Sequence, residues 1–140
     1  MQRIDLVHDF ALPADRVYAY LAEHENLGPL FGAKITRLRD GDTSRNGVGS
    51  VRELRVGPLP SFEETVTAAV PGELIEYRIT RGGFPVKDHS ARMTFTPQGA
   101  GTRLRYEIAL GSQVPGLDRV VAAALTRSLR RGLRQVDTQA

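Results

Sequence analysis

The C-terminal stretch of this chain constrains its fold more than any other feature. Leu117, Val121, Ala124, Leu125, Leu129, Leu133 and Val136 recur at intervals of three and four, which predicts one helix from about Pro115 to Val136 with a continuous apolar stripe. A stripe running over about five turns needs a broad apolar surface to lie on. What precedes the helix is a series of strand-like segments, so the surface it requires is a sheet.

Those segments are separated by turn chemistry. After Ala33 the chain reads as strands over Lys34 to Arg39, Val48 to Val56, Ser61 to Val70, Glu73 to Arg81, Val86 to Thr96 and Thr102 to Leu110. Between them stand Asp40-Gly41-Asp42 with Asn46-Gly47, then Gly57-Pro58, Pro71-Gly72, Gly82-Gly83 and Gly99-Ala100-Gly101. Glycine supplies positive φ and proline presets a turn dihedral, so the spacing predicts an antiparallel meander. A further strand opens the chain, where Ile4, Leu6, His8 and Phe10 alternate with Asp5, Val7, Asp9 and Ala11. Pro13 then sits at a helix start with Asp15 in its first turn, and Ala14, Val17, Tyr18 and Leu21 share a face, predicting a short helix to about Ala22. His24 to Gly32 reads as an irregular or second helical piece near the entrance of any pocket, with His24 facing solvent.

The expected architecture is therefore α+β, a seven-stranded curved antiparallel sheet wrapped around a long C-terminal helix, with short helices between the first two strands. At 140 residues, 41% hydrophobic and 25% charged, the chain suits a single domain spanning 1–140. No apolar run approaches the length of a spanning helix, and the N-terminus enters a strand without the apolar core of a signal peptide, so the cytoplasm is the expected location. The absence of cysteine excludes disulfides, thiolate nucleophiles and cysteine zinc sites. Three scattered histidines lack metal-ligand spacing, and no serine lies in a Gly-x-Ser-x-Gly elbow, so neither metal nor cofactor is expected.

Strand parity predicts which side chains face the helix. His8, Arg52, Glu64, Tyr77, His89 and Tyr106 are the polar members of the inward sets, among apolar neighbours such as Val48, Val56 and Ala68. Arg52 and Glu64 are symmetric about position 58, so a hairpin there places them opposite each other as a buried pair. Gly132, inside the final helix, marks a close approach by ligand or strand backbone. Arg127, Arg130, Arg131 and Arg134 line one side of that helix and suit a membrane surface or a protein contact, or simply water. No aromatic residue follows Tyr106, so nucleic-acid stacking is not expected there.

The order of elements, with Ala11-Leu12-Pro13-Ala14-Asp15-Arg16-Val17-Tyr18-Ala19-Tyr20-Leu21, Gly47-Val48-Gly49-Ser50-Val51-Arg52, Pro71-Gly72-Glu73-Leu74-Ile75-Glu76-Tyr77 and Gly101-Thr102-Arg103-Leu104-Arg105-Tyr106, resembles the START-like or helix-grip superfamily. Within it the chain is similar to the polyketide cyclase/dehydrase-like proteins. The resemblance implies a cavity between sheet and helix for a small hydrophobic molecule, lipid-like or polyketide-like, held by a carrier or sensor. Candidate lining residues are His8, Phe10, Phe31, Arg52, Leu54, Phe62, Glu64, Tyr77, His89, Met93, Tyr106, Leu125 and Leu129. An alternative is a polyketide cyclase or dehydratase in which His89, Glu64 or a tyrosine moves protons. A weaker one is a protein-interaction role through the arginine helix.

Overall fold

The computed structural model describes residues 1–140. Its elements are β1 (Gln2–Phe10), α1 (Ala14–Ala22), a 3-10 turn (His24–Leu27), α2 (Gly28–Phe31), β2 (Lys34–Arg39), β3 (Val51–Arg55), β4 (Phe62–Val70), β5 (Leu74–Arg81), β6 (Val86–Gln98), β7 (Gly101–Ser112) and α3 (Leu117–Gln139). The strands form one antiparallel sheet in the order β1-β7-β6-β5-β4-β3-β2. The meander is thus closed on one side by the return of β1 beside β7, and this is the expected α+β helix-grip.

Each short element starts and stops for a local reason. The carbonyl of Pro13 accepts the N–H groups of Arg16 and Val17, opening α1. Gly32, at φ 63°, ends α2 in the left-handed region, its N–H bonded to the Gly28 carbonyl. β3 is shorter than the alternation suggests, because Gly49 turns at φ 90° and Val48 lies 44% exposed outside the ladder. Val56, on the other side of β3, is likewise at the surface rather than inward.

Register shifts in β4 correct a second expectation. Beyond Val66 the pairing with β5 slips, so that Ala69 opposes Ile75 and packs on the core, and parity no longer carries Ala68 inward. Such bulges bend a strand and increase its twist, which here contributes to the curvature of the sheet.

α3 packs on α2, β1 and β7. It buries Ala122, Leu129, Gly132, Leu133 and Val136, whereas Ala124 is exposed. Across the interface Ile4, Leu6, Phe10, Met93, Leu104, Tyr106 and Leu110 are all at most 5% exposed. Asp137 accepts the Ala11 N–H at 3.1 Å, and Arg16 donates to the Ala140 carbonyl at 2.6 Å, tying the helix end to the β1–α1 corner.

The close approach at Gly132 comes from α2, neither a ligand nor a strand. A Cβ there would lie 2.8 Å from Leu30 Cα and 3.0 Å from Leu30 Cγ. Alanine in a helix is worth about 1 kcal/mol over glycine, but this contact is with backbone and cannot relax by rotamer. Gly132→Ala is expected to destabilise by about 1–3 kcal/mol despite its better helix propensity. Urea unfolding checks this, and a variant as stable as the parent would refute the tight α2–α3 contact.

Candidate functional site

Arg52 and Glu64 are direct partners in the β3–β4 register. Arg52 Nε donates to Glu64 Oε1 at 2.9 Å, and both side chains are almost wholly buried, at 2% and 6% exposure. Arg52 Nη2 lies 2.9 Å from the same oxygen but makes no hydrogen bond, so one buried donor is left over. The guanidinium sits 4.5 Å above the Tyr77 ring and 5.8 Å from the Phe31 ring, which favours a cation already removed from water.

His89 enters this cluster because two irregularities coincide. The β5–β6 ladder ends at Tyr77 opposite Ala91. Further along, β6 shifts register against β7 between Lys87 and Ser90, with Asp88 at φ 54°. Freed from the ladder, the Ile79 N–H donates to His89 Nδ1 at 3.1 Å. The neutral ring must then carry its proton on Nε2, which faces Glu64 Oε2 at 3.9 Å. Burial lowers the His89 pKa, with Glu64 opposing and Arg52 reinforcing the shift. In this arrangement the ring nitrogen with a free electron pair is already engaged, so His89 is placed as a donor rather than as a base.

Tyr77 and Tyr106 complete the buried polar set, their hydroxyls hydrogen-bonded to each other. Burial pushes both phenols upward, Tyr77 strongly so. They are hydrogen-bonding groups that stay protonated at neutral pH.

The remaining candidates fall into three groups. Phe31, Phe62 and Leu125 are half-buried, as are Ile79, Val86 and Val121, and Phe31 packs 6.3 Å from Tyr77. Leu54, Met93 and Leu129 are wholly buried. His8 and Phe10, whose rings lie 4.6 Å apart, are not brought to the cluster: Phe10 pairs with Thr102, and His8 lies near Asp137 at the C-terminal end of α3.

His24 corrects the sequence reading, being fully buried instead of solvent-facing. Ser50 donates to the Gly47 carbonyl at 2.7 Å and lies 3.1 Å from His24 Nε2, so the ring presents its Nε2–H to the hydroxyl and its buried Nδ1 has no partner. Above it Glu23 accepts from Arg37 at 3.0 Å, Arg45 at 2.7 Å and Asn46 at 3.1 Å, sealing the β2–β3 loop over the ring. The Arg45 hydrogen bond holds Glu23 down to about 2. Burial, with Arg52 and Arg37 nearby, pushes His24 down to about 3. The i, i+3 spacing of His24 and Leu27, both fully buried, is the signal that marks the ring's inward face.

A recess of about 230 Å³ occupies the gap between the splayed ends of β5 and β6, lined by Ile79, Gly82, Val86 and His89 among others. A larger groove of about 350 Å³ lies on the solvent side of the sheet among Arg3, Asp5, Glu76, Arg92 and Glu107. It holds none of the inward polar residues, whereas the smaller recess is lined by His89, together with Thr80, Arg81, Lys87 and Asp88. No three His, Cys, Asp or Glu side chains converge to hold a metal, and no helix is long and apolar enough to cross a membrane.

A seven-stranded curved antiparallel sheet with a long C-terminal helix packed on it is the architecture of a START-like protein. The entire chain, residues 1–140, matches the family described as polyketide cyclase / dehydrase and lipid transport, and the chain belongs to that family. Among solved structures, a START superfamily protein from Mycobacterium smegmatis is 15% identical with a TM-score of 0.80 over 99% of both chains. The Zhui aromatase/cyclase from a Streptomyces species is 20% identical, TM-score 0.67, over 98% of this chain and 87% of that one. Norcoclaurine synthase from Thalictrum flavum, solved with dopamine and hydroxybenzaldehyde, is 15% identical, TM-score 0.71, over 99% of this chain and 84% of that one. At these identities the likeness is one of fold. No curated protein matches the chain in sequence.

Two measurements probe the interior. Replacing Arg52 or Glu64 alone strands a buried charge and is expected to cost about 3–5 kcal/mol, whereas an apolar pair such as Arg52→Met with Glu64→Leu should cost far less. Denaturant melts of the three variants decide this. Histidine burial sets the acid response. His24 binds a proton in the unfolded chain near pH 6.5 but in the folded one only near 3. Stability is therefore fully present above pH 6.5 and falls as pH drops below it, by up to about 1.4 kcal/mol per unit for one such group. His8 and His89, also shifted down, add the same sign. Unfolding free energies between pH 7 and 5 should show this slope, and His24→Asn should flatten it.

Proposed function

We propose that the protein binds a small hydrophobic ligand carrying one polar group, as a carrier or sensor. The observation that carries this reading is Phe31, which joins a first, half-buried apolar layer with Val86, Val121 and Leu125 to the buried Arg52–Glu64–His89–Tyr77 cluster: its ring lies 5.8 Å from the Arg52 guanidinium and 6.3 Å from the Tyr77 ring. An apolar body would rest against the first layer. A carbonyl or hydroxyl oxygen would accept from Arg52 Nη2, which lies 2.9 Å from Glu64 Oε1 in the ion pair but makes no hydrogen bond of its own.

The family description names lipid transport beside cyclase and dehydrase activity, and a norcoclaurine synthase of the same fold was solved with two aromatic molecules. The groups available here favour binding over proton transfer. Glu64 is engaged by Arg52, the His89 Nδ1 lone pair by the Ile79 N–H, and the two tyrosines by each other. The 230 Å³ recess is also smaller than the ~300–1,000 Å³ of most small-molecule sites. A ligand of lipid size would enter by displacing half-buried side chains such as Phe31 and Leu125.

The test is a fluorescence titration with 1-anilinonaphthalene-8-sulfonate, alongside native mass spectrometry of the purified protein for co-purifying lipid. One probe molecule per chain should bind, and Leu125→Arg should weaken it at least about tenfold, as a charge in an apolar contact does. Probe binding that ignores Leu125→Arg and Phe31→Ala alike would place the ligand elsewhere.

A further inference from the structure

We propose that the outward ridge of α3 docks on a bilayer containing anionic phospholipid. Arg127, Arg130, Arg131 and Arg134 follow one another at helical spacing, Arg119 continues the row toward the helix start, and all five are exposed on the side opposite Leu129, Leu133 and Val136. None is engaged in an ion pair. The sheet's outer surface behaves differently: there Arg103 pairs with Asp9, Arg105 with Asp5, Arg92 with Glu76 and Arg81 with Glu63. The two acids of α3 are both turned to the body of the protein, Asp118 to the Met1 amino group at 3.2 Å and Asp137 to the Ala11 N–H. Other exposed cations without an ion pair, Arg3, Lys34, Arg55, Arg78 and Lys87, are dispersed over the strands, whereas these five follow one another on one straight ridge.

Two polyanions suit such a row, a nucleic acid and a lipid surface, and the neighbouring side chains favour lipid. Val120, 63% exposed, continues the arginine face at the helix start, with Ala123 and Ala124 between. Val114 in the preceding loop is 46% exposed and Phe84 is 78% exposed, and the two turns that carry them are joined by the Gln113 N–H donating to the Pro85 carbonyl at 2.9 Å. Apolar side chains beside a cationic row gain nothing from a phosphate backbone, but they gain by entering the boundary between headgroups and acyl chains. α3 also lacks any aromatic residue on which a base would stack. The inference does not depend on the ligand reading, since it is tested without a ligand.

The experiment is flotation of the full chain with vesicles of phosphatidylcholine, with and without about one-third phosphatidylglycerol, at low and at physiological salt. Binding is expected only with the anionic lipid and should weaken with salt. Each arginine near the surface contributes about fivefold, so Arg127→Gln, Arg130→Gln, Arg131→Gln and Arg134→Gln together should cost at least about 100-fold. A control removes equal charge elsewhere, with Arg3→Gln, Lys34→Gln, Arg55→Gln and Arg78→Gln, all exposed positions, and should cost far less. Val120→Ser with Phe84→Ser should weaken vesicle binding while leaving retention on a DNA duplex unchanged. The proposal is overturned by absence of binding to anionic vesicles, by equal losses in the two quadruple variants, or by duplex binding that exceeds vesicle binding and ignores the apolar substitutions.

Discussion

The fold depends on the seating of α3 against the concave sheet. A seven-stranded antiparallel sheet has one face that water would otherwise cover, and Leu129, Leu133 and Val136 remove themselves and their sheet partners from water together. Burying each such side chain is worth roughly 1.5–3 kcal/mol. That seating is possible at its observed distance because Gly132 has no side chain where Leu30 of α2 approaches. The short helices between β1 and β2 are consequently held between sheet and α3 rather than left as a surface excursion.

Once α3 lies on β1, β7 and α2, the inward polar residues of β3, β4, β5 and β6 become an interior group with a separate set of cover residues. Arg52 and Glu64 are tolerable there because they neutralise each other, and the aromatic faces of Tyr77 and Phe31 stand where water would have solvated the guanidinium. The pair is costly compared with an apolar core. What it supplies is a fixed, buried cation packed against Tyr77 and half-buried Phe31. The same curvature leaves the opposite side of α3 facing outward, and there the charge is unpaired. The interior side of α3 is thus apolar and its exterior side cationic.

Much of this was legible along the chain wherever a strand is regular. The symmetry of Arg52 and Glu64 about position 58 anticipates their pairing, because a hairpin preserves sequence distance on both arms. Ile75, Tyr77, Met93, Phe95, Leu104 and Ile108 face inward as alternation requires. The reading failed where the backbone departs from period two. Beyond Val66 a bulge moves Ala69 rather than Ala68 to the core, and at Gly49 a turn expels Val48. His24 was hidden by its charged neighbours Glu23 and Glu25, whose partners Arg37 and Arg45 are remote in sequence and come together only when the β2–β3 loop folds over.

Element order, strand parity and the apolar stripe of α3 are local properties, written in residue periodicity, and the sequence by itself determined them: a sheet, a helix for it to grip, and which polar residues of the regular strands share the inward face. Only the tertiary structure decided which of those residues meet. His8 and Phe10 share parity with the cluster yet lie toward the far end of α3, while His89 joins it because β5 and β6 part after Tyr77 and its Nδ1 takes the freed Ile79 N–H. The physical reason is that periodicity specifies a face, whereas position along and across that face is set by bulges, strand splay and long-range ion pairs that no single stretch of chain contains.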